Sequence, residues 1–215
     1  NYSRLAPRDG ALIPAYGLGI FADYSSGSFP RSVTLFQGRL VFSGFPNQPM
    51  TVLISNTFDS VRAGVFFNNY QIALEDQESG DPIDVLLTGQ LDDLLLACEE
   101  FQNQLFVWSR DKMFRIHGGS AGAVTPSNLL VNTVSGTGVL NSQCVTKIDK
   151  TVLFLSNSGV FDITATLEAG DFTAGERSIK IRNLVSGPLV PNNSSVSWMT
   201  YDPANRSEEH TSELQ

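Results

Sequence analysis

Phe36-Gln37-Gly38-Arg39-Leu40-Val41-Phe42 is the stretch whose reading decides the fold. An apolar residue runs into a short polar turn and three apolar residues leave it, which is the pattern of two antiparallel strands joined by a tight hairpin. The pattern returns at Phe101-Gln102-Asn103-Gln104-Leu105-Phe106-Val107 and, more loosely, at Ile148-Asp149-Lys150-Thr151-Val152-Leu153-Phe154. The second and third copies superpose without a gap at an offset of 47: Phe101 meets Ile148, Leu105-Phe106-Val107 meets Val152-Leu153-Phe154, Met113-Phe114 meets Val160-Phe161 and Ile116 meets Ile163. Each unit reads strand, tight turn, strand, second turn (Arg110–Lys112 or Asn157–Gly159), strand. The first copy lies 65 residues before the second, with an extra loop after its inner strand.

A period of ~40–50 residues with three or four short strands per unit is that of propeller blades. The expectation is therefore an all-β fold of β-propeller-like blades of short antiparallel strands, read as an incomplete fragment of a larger array. The blade hairpins fall near 32–55, 95–117 and 143–164. The turn chemistry differs between copies. Gly38 is replaced by Asn103 and then by Lys150. A turn that needs φ > 0 at this position suits Gly, tolerates Asn and sits poorly with Lys, so a different turn is expected in the third copy.

Outside these units, residues 1–30 are punctuated by Pro and Gly and read as an extended N-terminal segment, with Tyr16, Ile20, Phe21 and Tyr24 available to pack. Residues 31–205 form the β-propeller-like domain. Within it, Ser43–Pro49 reads as a turn-rich loop and Thr51–Ser55 as a strand. Asp81–Leu87 reads as a further strand. Asp92–Phe101 has some helical spacing, but the hairpin that follows favours a turn and then a strand from about Leu95. Gly118–Gly138 reads as a connector carrying a strand-like Leu129–Val131, residues 164–176 as a linker, Ser178–Leu184 as a charged alternating strand, and Ser195–Tyr201 as the start of another blade. Arg206–Gln215 looks like the in-frame translation of a sequencing-library adapter and is set aside. Its one Arg and three Glu account for two negative charges, so the formal charge moves from −8 to −6 without it.

Hydrophobic residues make up 41% and charged residues 17%, which supports a packed core and argues against global disorder. The 14 Phe and the lack of long helix-forming runs favour strands. A net negative chain repels bulk nucleic acid, which disfavours a conventional DNA-binding domain. No stretch approaches the ~20 apolar residues of a membrane-spanning helix. Cys98 and Cys144 lack a C-x-x-C spacing and fall in strands, where a free thiol packs as a small hydrophobe; whether they pair stays open.

The candidates for chemistry are few. Asp81/Asp84, Asp92/Asp93 and Glu99/Glu100 are the carboxylate pairs, and two carboxylates held ~5–9 Å apart could serve glycoside hydrolysis. This makes a β-propeller carbohydrate-binding protein or glycoside hydrolase the alternative function, provided Asp81, Asp84, Asp92 or Glu99 converge. Solvated turn and strand-face charges are the plainer reading. His117, a lone His ending a strand, is no metal site, and His210 lies in the adapter-like tail. No Ser stands in a G-x-S-x-G context. Gly17-Leu18-Gly19 and Gly118-Gly119-Ser120-Ala121-Gly122 lack the setting of phosphate loops. Asn192-Asn193-Ser194-Ser195 holds N-x-S sequons, which matter only in a eukaryotic secretory setting. The aromatic hairpins could stack bases or sugars, but their alternation points to core packing. No catalytic residue, cofactor or metal ligand is expected.

Three segments, in order, carry a family resemblance. They are Pro30-Arg31-Ser32-Val33-Thr34-Leu35-Phe36-Gln37-Gly38-Arg39-Leu40-Val41-Phe42-Ser43-Gly44 with Pro46, Gln48-Pro49, Thr51-Val52 and Ser55; then Asp81-Pro82-Ile83-Asp84-Val85; then Val124-Thr125-Pro126-Ser127-Asn128. Together they resemble the tail tubular protein B family, the nozzle proteins of short-tailed bacteriophages, over roughly residues 28–165. The resemblance implies a structural protein of the virion, assembled in the bacterial host cytoplasm. It implies a homohexameric ring that contacts a tail adaptor protein and tail fibres and gates the channel through which genome DNA leaves. It carries over no catalytic residue.

Overall fold

The computed structural model describes residues 29–46, 48–57, 79–87, 93–119, 122–148, 151–165, 172–181, 183, 185 and 197–201. Among them the chain is all-β: three four-stranded antiparallel meanders follow one another along the sequence. Sheet 1 holds β1 (Ser32–Phe36), β2 (Arg39–Phe45), β3 (Gln48–Ile54) and β4 (Ile83–Leu86). Sheet 2 holds β5 (Leu95–Phe101), β6 (Gln104–Ser109), β7 (Met113–His117) and β8 (Leu130–Ser135). Sheet 3 holds β9 (Val145–Ile148), β10 (Thr151–Ser156), β11 (Gly159–Ala165) and β12 (Phe172–Glu176). The first strands gather on one side, β1 against β5 and β5 against β9, and the last strands β8 and β12 also meet. That is a blade-like arrangement.

The repeat holds in the hydrogen-bond register. Leu105 pairs with Ile116 and Val152 with Ile163; Phe106 pairs with Arg115 and Leu153 with Asp162; Trp108 pairs with Met113 and Leu155 with Val160. The tight turns are equally long, since Phe36 faces Arg39, Phe101 faces Gln104 and Ile148 faces Thr151. In the first two, both central residues have positive φ: Gln37 (49°) and Gly38 (72°), Gln102 (49°) and Asn103 (61°). This is the type I′ geometry that matches strand twist. Asp149 and Lys150 lie outside the described residues, as do residues 1–28 of the N-terminal stretch 1–30 and the adapter-like tail.

Because side chains alternate across a strand, the register sorts the core into two layers. Between sheets 1 and 2 lie Phe36, Val41, Val52, Ile54, Ile83 and Val85 from one side and Cys98, Leu105, Val107, Phe114 and Ile116 from the other. Between sheets 2 and 3 lie Phe101, Phe106, Trp108 and Met113 against Val152, Phe154, Ile163 and Phe172. Phe106 meets Phe172 edge-on with centroids 5.1 Å apart, and Trp108 lies 5.7 Å from Phe154.

Four local readings are corrected. Ser43–Pro49 is no open loop: β2 continues to Phe45 and β3 starts at Gln48, with a register shift between Ser43 and Phe45. Gly44 makes this possible at φ 74°, and a Cβ there would meet the Leu95 carbonyl at 2.2 Å, so the bulge also seats sheet 1 on β5. The strand of the Gly118–Gly138 connector starts one residue later and runs further than Leu129–Val131, as β8 (Leu130–Ser135). The linker 164–176 instead contains β12, held by five successive pairs from Phe161–Glu176 to Ala165–Phe172. The alternating strand read at Ser178–Leu184 is a 3₁₀ turn at Ile179–Ile181. Ser178 Oγ takes the Val160 N–H at 3.0 Å, so a side chain ends the ladder where a strand would have continued.

Candidate functional site at the turn end of sheets 1 and 2

The fold-deciding turn does more than reverse the chain. Gln37 Nε2 donates to the carbonyls of Gly122 (2.8 Å) and Asn103 (3.2 Å) and to Asn103 Oδ1 (3.2 Å), while Gln37 Oε1 accepts the Val124 N–H at 2.8 Å. One amide thus ties the first turn to the second and to the connector that follows β7. Two residues on, Arg39 is 2% exposed and its guanidinium is aimed at backbone carbonyls. Nη1 donates to Asp81 O (2.7 Å) and Ser55 O (3.3 Å), and Nη2 to Ser79 O and Val124 O (3.4 Å). Burial lowers the Arg39 pKa and the nearby Asp81 charge opposes that shift. A buried cation satisfied by carbonyls keeps the surrounding loops from being separated cheaply.

Around this clamp opens a recess of about 500 Å³, with Gln37, Arg39, Thr57, Ser79, Asn103 and Thr125 on its walls. Among the described residues its chemistry is neutral amide and hydroxyl, apart from Arg39, which is already engaged. Among the described residues no aromatic side chain lines it, so the stacking platform expected of a sugar site is not part of this wall. Gly118 and Gly122 serve the same junction: a Cβ on Gly118 would strike the Ala123 carbonyl at 2.1 Å, so this glycine permits close backbone packing.

The carboxylates do not converge. Asp81 is buried beside the Arg39 clamp. Asp84 points outward from sheet 1, on the row of Leu53. Glu99 stands on the side of sheet 2 that faces sheet 3, on the row of Phe106, where burial raises its pKa and Lys147 opposes the shift. Asp84 and Glu99 are therefore on opposite sides of two packed sheets. Asp92 lies outside the described residues. Asp93 is buried and its Oδ1 takes the N–H groups of Leu94 (2.9 Å) and Arg110 (3.1 Å), a turn-fixing role. Glu100 accepts from the Asn103 N–H at 2.9 Å and pairs with Lys147 at 3.1 Å.

His117 Nδ1 accepts from the Gly119 N–H at 3.1 Å. With the Asn132 amide oxygen facing them, it accepts from His117 Nε2 at 3.2 Å and Arg115 Nη2 at 3.0 Å. Partial burial lowers the His117 pKa, and Arg115 lowers it further. Arg115 also lies over the Phe172 ring at 5.7 Å, so this cluster joins sheets 2 and 3. Among the described residues no group of three or more His, Cys, Asp or Glu could hold a metal ion. Cys98 and Cys144 are both free and buried, in different core layers. Burial pushes the Cys98 thiol up to about 11, although Ser32 Oγ, which also accepts the Cys98 N–H at 2.9 Å, works against that.

Gln37 and Arg39 were not singled out as site residues by sequence. The signal available was Arg39, a cation at a strand position whose alternation with Val41 turns it toward the core. The sequons at Asn192–Ser195 and the Gly17–Gly19 pair lie outside the described residues, and no described helix is long and apolar enough to cross a membrane. No protein-family model matches this chain, and no curated protein matches it.

Proposed function

We propose that the chain is a structural component of a short-tailed bacteriophage tail, of the nozzle type, which builds a ring around the channel through which DNA is ejected. The observation that carries this reading is the ordered resemblance over Pro30–Ser55, Asp81–Val85 and Val124–Asn128. These segments are also neighbours in space: the first supplies β1, β2 and β3, the second supplies β4, and the third meets them at the Gln37–Arg39 clamp. The function is mechanical. Stacked sheets bind one another and a ring neighbour, with the tail adaptor and the fibres as further partners, in the virion. A net negative surface fits a conduit for DNA, since each Lys or Arg contact with phosphate would add salt-dependent grip.

Two measurements test it. The genes flanking this one on its source contig should encode a portal, a tail adaptor or an internal virion protein; metabolic neighbours would count against the reading. The full-length protein, mixed with that adaptor, should form rings visible by electron microscopy. A strictly monomeric protein, alone and with the adaptor, would overturn it.

A further inference from the structure

His117 stands where two sets of hydrogen bonds meet, and together they fix the position of its proton. Its Nδ1 accepts the Gly119 N–H at 3.1 Å, so the neutral ring carries its hydrogen on Nε2. That hydrogen needs an acceptor, and the Asn132 amide oxygen supplies one at 3.2 Å while also taking Arg115 Nη2 at 3.0 Å. From Gly119 the bonds continue to the clamp. The Gly119 carbonyl accepts the Gly122 N–H at 3.4 Å and the Gly122 carbonyl accepts Gln37 Nε2 at 2.8 Å. Gln37 Oε1 in turn takes the Val124 N–H at 2.8 Å. Gly119 and Gly122 have φ values of 60° and 73°, so this connector is held in a specific turned shape.

We propose that His117 is an acid-released latch: the neutral ring holds the connector after β7 in the shape that reaches Gln37, and protonation lets it go. A second proton can enter the ring only at Nδ1, where it turns the acceptor into a donor facing the Gly119 N–H. That bond is then lost, and the Asn132 oxygen is left between two cations, the imidazolium and Arg115. The released connector no longer presents Gly122 and Val124 to Gln37, so the turn end of the junction between sheets 1 and 2 loosens. The charged groups around the ring are few. Glu99 of β5 stands in the row of Arg115 with Phe106 between them, Lys147 of β9 pairs with Glu100, and β12 contributes Phe172 against Arg115. Among the described residues Arg115 is the charged group that acts on the ring, and it joins burial in favouring the neutral, latched form. A released ring returns to the ordinary value of about 6.5. Release is therefore favoured as pH falls from about 6.5 toward the value of the latched ring. The latch follows from the hydrogen-bond pattern and holds whatever the chain assembles with.

The test is solution NMR on the 215-residue chain between about pH 7.5 and pH 5. Multiple-bond nitrogen–proton correlations should show the Nε2–H tautomer of His117 at the upper end. As the ring titrates, amide-exchange protection, taken relative to the unfolded-chain rate at each pH, should fall about threefold to tenfold at Gly119 and Val124. Both should follow the midpoint of the ring, while Val107 in β6 keeps its protection. His117→Gln has no titrating ring and should make the protection of Gly119 and Val124 independent of pH. Asn132→Asp sets a carboxylate against Nε2 and should raise the midpoints of the ring and of Val124 together, by about one pH unit. Asn132 is exposed, so this variant carries the test if His117→Gln does not fold. An Nδ1–H tautomer would overturn the proposal. So would Val124 protection that ignores the ring, that stays behind when Asn132→Asp moves it, or that still varies with pH in His117→Gln. Loss at Val107 in step with Val124 marks unfolding of the whole sheet and would overturn it too.

Discussion

Sheet 2 meets sheet 1 through Cys98, Leu105, Val107, Phe114 and Ile116, and meets sheet 3 through Phe101, Phe106, Trp108 and Met113. The first junction is mostly aliphatic, and a polar clamp of Gln37 and Arg39 closes its turn end. The second is aromatic, and Arg115 over Phe172 bridges it on the side of sheet 2 away from sheet 1. The first tight turns of all three sheets are equally long, so that turn does not explain the difference. What differs is how each junction is made specific. Branched aliphatics fill a narrow space but are interchangeable, so the first junction takes its alignment from directional hydrogen bonds. Large rings fill more volume each and are oriented by edge-to-face contacts, so the second takes its alignment from shape.

Truncations should separate the two junctions. Trp108→Ala should cost about 3–5 kcal/mol in urea unfolding, because its volume is fully enclosed; Val107→Ala, one residue away but on the aliphatic side, should cost about 2 kcal/mol or less. Equal losses would mean the two layers unfold as one and the contrast has no energetic content. Next in size, Arg39→Met should cost about 2–3 kcal/mol by leaving the carbonyls of Asp81, Ser55 and Val124 without their donor. Gln37→Ala should cost about half as much, and hydrogen exchange should speed up at Val124, whose N–H it holds. An Arg39→Met protein as stable as the parent would move the alignment of that junction from the clamp to the apolar layer.

A smaller effect is expected from the turns. Gly38→Ala should lose about 1 kcal/mol, since φ 72° is strained for any Cβ, whereas Asn103→Gly should stay within about 0.5 kcal/mol. The smallest and most specific signal is the pH response of the second junction. The folded pKa of His117 is depressed, by burial first and by Arg115 second. Above the ordinary histidine value of about 6.5 the ring is neutral in both states. Below it the unfolded chain takes the proton first, so stability falls as pH drops from about 6.5 toward the folded value. Thermal melting between pH 7 and pH 5 should show this decline, and His117→Gln should flatten it. An unchanged slope would mean that His117 does not drive the decline, since the raised pKa values of Asp84 and Glu99 act in the opposite sense.

Much of the architecture was legible because it is local. Phe36–Phe42 and its two echoes specify turn length, register and strand parity within a few residues, and the start of β5 at Leu95 follows from the hairpin after it. β12 was missed because Phe172 is its one large inward residue and Gly170 and Gly175 read as linker; its place as a paired edge depends on β11. The 3₁₀ turn after it was missed because Ser178 caps Val160, a contact that crosses the sheet. The site was less legible than the fold. Asp81, Asp84 and Glu99 looked alike as carboxylates, and only the stacking of sheets shows them on separate faces.

The sequence by itself determined the hairpin strands, the short turns between them and the 47-residue register, since each rests on alternation and on which residues tolerate positive φ. The tertiary structure decided the roles of Gln37 and Arg39. It decided which face of each sheet meets a neighbour, and that Val33, Leu35 and Leu86 are left exposed. Those outcomes turn on contacts between residues far apart in the chain, such as Arg39 with Asp81 and Gln37 with Asn103 and Val124. Periodicity says which side chains share a face. It carries no information about what that face touches.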